Sequence, residues 1–237
     1  MTQRGKHLEL LNADGHTGLK IGIALASHDI VPVTFAYDLA TLCTFSTAQL
    51  MANDAVTFGV NLIAGTYIHA ARQEMMETLI REGATHALWL DTDMRFPKDA
   101  LLRLLSRNVP LIGINYCKRG WTPQYVALKT IGSQGKRLVT GPDSTGIEEV
   151  EAIGFGLVLM DMRIAADLPA PPWFYFGQNE KEPGRWMGED VTFCEVVRKA
   201  GHKVYVDHDL SKECKHTGTF EWRLEHAAEY LEQEAKS

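Results

Sequence analysis

Along the first half of the chain, short apolar runs alternate with longer stretches whose apolar residues recur every three to four positions. The runs at 19–26 (LKIGIALA), 56–63, 86–90 (HALWL) and 110–114 (PLIGI) predict buried strands. Between them, 34–50, 67–82 and 97–107 carry helical periodicity, with Pro97 suited to a first helical turn. Strand and helix in alternation predict βαβ units and a mainly parallel sheet flanked by helices, an α/β fold.

The second half has a different texture. Residues 121–150 are rich in turn formers between short β-prone pieces. A strand is expected at 155–160, then a Pro-rich bend (LPAPP) and an aromatic run at 173–176. Residues 177–188 read as a polar, Gly-containing loop, followed by a helix at 191–200, a strand at 203–206 and an amphipathic helix from Phe220. No linker separates these pieces, so one domain is expected over 1–237.

Composition narrows the class. With 237 residues, 45% of them hydrophobic, the chain is long enough and apolar enough to bury a core, which excludes global disorder. Its net charge of −6 argues against broad, non-specific binding to DNA or to an anionic membrane. The four cysteines are scattered, without a CxxC pair, and the polar N-terminus lacks a signal-peptide pattern. A reduced cytoplasmic compartment without membrane insertion is therefore expected.

Four places carry chemistry. Asp91-Thr92-Asp93 directly follows HALWL, at the carboxyl end of a strand, where ligands gather in open α/β sheets. Two carboxylates converging there repel unless a cation lies between them, and oxygen ligands suit Mg²⁺ or Mn²⁺. A solvated strand end is the plainer alternative. Arg72 interrupts the stripe formed by Ile68, Met75, Met76 and Leu79, and an arginine there needs an anionic partner or must snorkel to solvent. Gly188-Glu189-Asp190 opens a helix, where Asp serves as an N-cap or, if it faces a metal site, as a general base. His216-Thr217-Gly218 lies in a late loop. Cys214, His202 and His208 near it lack zinc-site spacing.

The ordered set ATHALWLDTDMRFP, IHAARQEMMETL, PLIGINYCKR, AIGFGLVLMD, GEDVTFCEVVRKAGHKVYVD and KHTG resembles the GT-A fold of nucleotide-sugar-dependent glycosyltransferases. In particular it looks like the small stand-alone enzymes of bacteriophages. The resemblance implies a nucleotide-sugar-binding half (19–114), an acceptor and metal half (115–218) and a C-terminal helix (219–237). It implies a hexosyl- or pentosyltransferase in which Asp91 lies near the ribose and Asp93, in some members with Asp91, ligates the metal. His216 would complete the metal shell, favouring Mn²⁺ over Mg²⁺. Arg72 would contact the donor diphosphate, with Ala26, Ser27 and His28 at the base pocket, Thr92 beside the carboxylates, and Phe155 and Gly156 beside the donor sugar. Asp190, or its neighbour Glu189, would deprotonate the acceptor hydroxyl.

Tyr116, Lys118, Arg119 and Trp186 are expected on the acceptor side. With Lys129, Lys136, Arg137, Lys212, Lys215 and Trp121 they would make a basic, aromatic face, so a hydroxymethylated pyrimidine in DNA is one acceptor to weigh against sugars, lipids and proteins. Two other readings stand beside this one. One is a metal-dependent nucleotidyltransferase or phosphodiesterase that also uses His208-Asp209. The other is a non-catalytic nucleotide- or glycan-binding module.

Overall fold

The computed structural model describes residues 18–27, 30–50, 56–65, 67–119, 123–132, 135–178, 184 and 186–218. The helix expected from Phe220, the base-pocket residue His28, Trp121 and half of the 177–188 loop (179–183 and 185) lie outside the described residues. None of the described helices is long and apolar enough to cross a membrane.

The centre is a mixed, mainly parallel seven-stranded sheet. Its strands are β1 (Leu19–Ser27), β2 (Val56–Ala64), β3 (His86–Asp91), β5 (Leu111–Gly113), β8 (Ile147–Val150), β9 (Leu157–Asp161) and β12 (Val204–Asp207), in the order β2-β1-β3-β9-β5-β12-β8. Strands β1, β2, β3, β5 and β12 share one direction, while β9 and β8 run against their neighbours. The sheet therefore interleaves the two halves of the sequence, because β9 is inserted between β3 and β5. The turn-rich stretch hid β8, whose Ile147-Glu148-Glu149-Val150 shows little apolar alternation because it is an edge strand.

Helices cover both faces: α1 (Val33–Leu50), α2 (Ile68–Arg81), α3 (Ala100–Ser106), α4 (Glu189–Lys199) and the single turn α5 (His208–Ser211). Side-chain alternation along the strands feeds two cores. Ala87 and Trp89 of β3 join Met75, Met76 and Leu79 of α2 and Phe193 and Val197 of α4 on one side. Leu88 and Leu90 join Phe35 and Leu42 of α1 and Leu101 and Leu104 of α3 on the other. The first contact is close: a Cβ on Gly22 would lie 2.0 Å from a Leu79 methyl, so only glycine lets α2 sit on β1 here.

Two-residue strands complete the fold. β4 (Met94–Arg95) pairs with β13 (Lys215–His216), β6 (Cys117–Lys118) with β7 (Gln124–Tyr125), and β10 (Gly177–Gln178) with β11 (Trp186–Met187). Helix α4 begins two residues before the predicted 191, with Gly188 as N-cap in extended conformation. Glu189 and Asp190 thus occupy the first turn, where negative charge faces the positive end of the helix, and Asp190 is not the cap.

Candidate functional site

The DTD turn leaves β3 at the sheet's carboxyl edge and is held from three directions. Asp38, buried in α1, pairs with Arg95 and accepts from Phe96 N, which fixes the chain just beyond the turn. The β4–β13 pairing brings the late loop alongside. Thr217 donates to the Asp93 carbonyl through both its N–H and its Oγ1, each at 2.7 Å. This places His216 Nε2 3.2 Å from Asp93 Oδ2. Arg119 Nη2 approaches the same oxygen to 2.6 Å. Gly218 explains the glycine of HTG: a Cβ there would lie 2.7 Å from Arg119 Cδ, so a larger residue would push the arginine off.

His216 Nδ1 lies 2.9 Å from the Cys117 carbonyl, which can only accept, so Nδ1 carries a proton and Nε2 is the atom facing Asp93. The bond to Asp93 raises the His216 pKa above its ordinary value. Burial alone would raise Asp93, but His216 and Arg119 outweigh it and hold the carboxyl below the usual range.

Arg72 is 3% exposed and reaches inward from α2. Its Nη2 lies 2.7 Å from Asp91 Oδ1 and its Nη1 2.5 Å from Glu189 Oε1, and its guanidinium sits 5.2 Å above the Phe155 ring. Burial works against the arginine's charge, and Asp91 and Glu189 more than compensate. Burial also pushes the Asp91 carboxyl up, against the pull of Arg72. This charged bridge ties the end of β3 to the first turn of α4. Beneath it, Trp89, Phe155, Phe174 and Phe193 form one aromatic cluster, with Phe174 and Phe193 stacked at 4.2 Å.

Two clefts open beside these groups. The first, about 330 Å³, is lined by Ala26, Ser27, Gly65, Asp91, Thr92, Asp93 and Arg119, among others. The second, about 640 Å³, is lined by Lys118, Arg137, Trp186 and Asp190, by Leu128, Thr130, Ile131, Gly132 and Gly135, and by other residues. Tyr116 and His216 line both, so the clefts meet there. The Tyr116 ring lies on two glycines. A Cβ on Gly156 would come within 2.8 Å of the ring and one on Gly154 within 2.6 Å of the hydroxyl. The ring stands edge-on to His216 at 5.2 Å.

The expected site residues divide accordingly. Ala26, Ser27, Asp91, Thr92 and Asp93 line the first cleft, while Asp190, Lys118 and Trp186 line the second. Arg119, expected on the acceptor side, lies in the first cleft on Asp93. Arg72, Phe155 and Glu189 line neither, since Arg72 spends both Nη atoms on carboxylates and Phe155 is core. That separates the acidic pair: Glu189 is bound by Arg72, and Asp190 faces the cleft. Burial, then the neighbouring Glu189, raises Asp190 to about 6. His208 contacts Thr140 and Glu148, Asp209 contacts Arg107, and neither lines a cleft. Of the basic face, Lys129 pairs with Glu148 and Lys212 donates to Pro142 and Ser144, while Lys118 and Arg137 line the second cleft. Leu128, Thr130, Ile131, Gly132 and Gly135, which share this cleft with Asp190, had no signal in the sequence beyond its turn formers.

Among the described residues, no three His, Cys, Asp or Glu side chains are gathered to enclose an ion. Asp93 and His216 nevertheless fit a metal that arrives with a phosphate ligand, since such ions take one or two protein ligands and the rest from substrate and water. A histidine whose other nitrogen is held by a backbone carbonyl is the usual orientation of a metal-bound imidazole. Asp91, engaged by Arg72, is the least available of the three expected ligands.

No family model and no curated protein matches this sequence. Among solved structures, the chain is similar to A197 from STIV, with 12% identity, a TM-score of 0.49, and coverage of 87% of this chain and 97% of that one. It is also similar to a glycosyltransferase involved in the glycosylation of the major capsid of PBCV-1, with 14% identity, a TM-score of 0.37, and coverage of 90% and 98%.

Proposed function

We propose that this protein is a divalent-metal-dependent glycosyltransferase that moves a sugar from a nucleoside-diphosphate sugar to an acceptor hydroxyl. One observation carries the reading: two clefts meet at Tyr116 and His216, with Asp93 in one and Asp190 in the other. That is the arrangement a transfer between two bound molecules needs, a charged end for the leaving group and a base opposite it.

The donor occupies the first cleft in this reading, its nucleoside against Ala26, Ser27 and Gly65. Asp93 and His216 would hold Mn²⁺ or Mg²⁺, which supplies Lewis-acid stabilisation of the departing diphosphate. Arg119, half-exposed on Asp93, turns to the phosphates and adds charge-assisted hydrogen bonds. Arg72 keeps Asp91 and α4 in place. Asp190 takes the acceptor proton, the acceptor oxygen bonds to the anomeric carbon, and the bond from that carbon to the diphosphate breaks. A carboxylate with a pKa of about 6 is mostly ionised at neutral pH and is a better base than an ordinary aspartate. Trp186, Lys118 and Arg137 offer an aromatic face and two cations to the acceptor, which makes hydroxymethylated DNA an acceptor to test early.

The test is mass spectrometry of candidate acceptors, including hydroxymethylated DNA, incubated with a panel of nucleotide sugars and Mn²⁺. The expected result is a mass gain of one sugar with release of the nucleoside diphosphate, abolished by Asp93→Ala. Pyrophosphate release or phosphodiester cleavage without sugar transfer would instead establish the nucleotidyltransferase or phosphodiesterase reading.

A further inference from the structure

The sheet's β2 edge is built unlike a protected edge. β2 is nine residues long, pairs with β1 over its whole length, and pairs with no other strand among the described residues. Exposed edges are ordinarily blunted by a charge, a proline, a bulge or shortness. The strand VTFGVNLIA has no charge and no proline, and its register with β1 runs without interruption from Leu19↔Val56 to Ser27↔Ala64. Val60 is 55% exposed and Leu62 60% exposed.

Backbone direction can be read from the strand's end. Gly65 N donates to Ser27 O at 3.0 Å, so Gly65 points its N–H at β1. Alternation then turns Ile63, Asn61, Gly59 and Thr57 inward and Phe58, Val60, Leu62 and Ala64 outward. The outward set is also the set whose side chains share one face of the sheet. The strand is self-complementary about Val60. In an antiparallel pairing centred there, Val60 meets Val60 of a second copy, Phe58 meets Leu62 and Gly59 meets Asn61. The apolar positions stay on one face, and no charges oppose each other. Asn61 Nδ2 is buried without a hydrogen-bond partner among the described residues, and nothing fills the space above Gly59.

We infer that β2 is the docking edge for a second copy of this chain, which joins two seven-stranded sheets into one continuous sheet across a two-fold axis at Val60. Neither the charge-free strand nor its self-complementary register requires the proposed transferase activity. A nine-residue strand is about 30 Å long, and two such edges with their flanking side chains cover on the order of 1,000 Å² in total, the low end for a specific interface. A dimer that equilibrates with the monomer on dilution is therefore expected.

The experiment uses the full chain. Sedimentation equilibrium over a micromolar concentration series should show a monomer–dimer equilibrium, weakened roughly tenfold or more by Val60→Lys, which places two cations opposite each other at the axis. Because Val60 is exposed, circular dichroism of this variant should match the parent. Val60→Cys should form a disulfide between the substituted positions of two chains under mild oxidation, mapped by peptide mass spectrometry. Opposed residues in such a pair have Cα atoms about 5.5 Å apart, within disulfide reach. This second readout holds even if the lysine variant misfolds. A parent chain that stays monomeric throughout the series overturns the inference, including the case in which its own terminal residues cover β2. So does a dimer that neither Val60 variant affects.

Discussion

The two clefts are made differently. The first is floored by strand ends: Ala26 and Ser27 close β1, Asp91 closes β3, and the two strands are in register at Ala26↔Asp91. The second is walled by turns and two-residue strands, with Trp186 in β11 and Leu128, Thr130, Ile131, Gly132 and Gly135 outside the named strands. A cleft floored by a sheet inherits its geometry from dozens of ladder hydrogen bonds. A loop-walled cleft is pinned by individual bonds instead, such as Leu128 N–H to Ala152 O and Lys129 N–H to Lys136 O, and loops are where proteins vary most readily in what they accept. Lining neither, Arg72 is the only described side chain bonded to both β3 and α4 through carboxylates.

Breaking that bridge should have the largest effect. Arg72→Met leaves Glu189 buried and Asp91 part-buried without their cation, which should cost on the order of 3 kcal/mol of stability, measurable by urea denaturation. Asp93→Ala strikes only the first cleft. Transfer should fall by about 10³-fold or more while the melting temperature stays near the parent's, and a variant with undiminished transfer would remove the metal role.

Asp190→Asn strikes the second. Loss of the base should lower transfer by roughly 10²–10⁴-fold. The sign for stability is opposite. A carboxyl raised to about 6 favours the protonated folded state, so the parent loses stability as pH rises from about 4 through 6, and the ionised form is then carried at a cost. Asn carries none, so the variant should gain about 3 kcal/mol at pH 7 and little below pH 4. The parent's transfer rate should fall about tenfold per pH unit below 6, and the variant's residual rate should not.

Gly156→Ala tests the shared wall. Crowding the Tyr116 ring should cost about 1–3 kcal/mol and raise the KM for donor and acceptor together. The smallest effect is expected from Trp186→Ala. At 67% exposure it should change stability by less than about 0.5 kcal/mol and raise the KM for acceptor alone. A change in donor KM would mean the clefts are less separate than their linings imply.

The same contrast decides how much was legible in the sequence. The β1, β3 and β5 runs and the helices between them follow from apolar periodicity, because buried ladders demand it; the run at 56–63 does form β2, but as a sheet edge with Val60 and Leu62 exposed rather than the buried strand expected. Arg72 announced a buried anionic partner by interrupting its own stripe, and Asp91 is that partner, but nothing local could announce Glu189, 117 residues away. Strand β8 was invisible because its four residues carry two glutamates and bury only Val150, and the loop residues lining the second cleft impose no repeating pattern. The choice between Glu189 and Asp190 needed the fold. Both lie in the first turn of α4, and only packing shows that one is bound to Arg72 and the other faces a cleft.

The Thr217 clamp on the Asp93 carbonyl separates the sheet from the site along the chain. All seven strands of the main sheet lie within residues 19–207, whereas the clamp and His216 come after it, with Thr217 124 residues beyond Asp93. A chain truncated before residue 215 would keep every strand of the main sheet and lose both the histidine that faces Asp93 and the β13 pairing that steadies the turn.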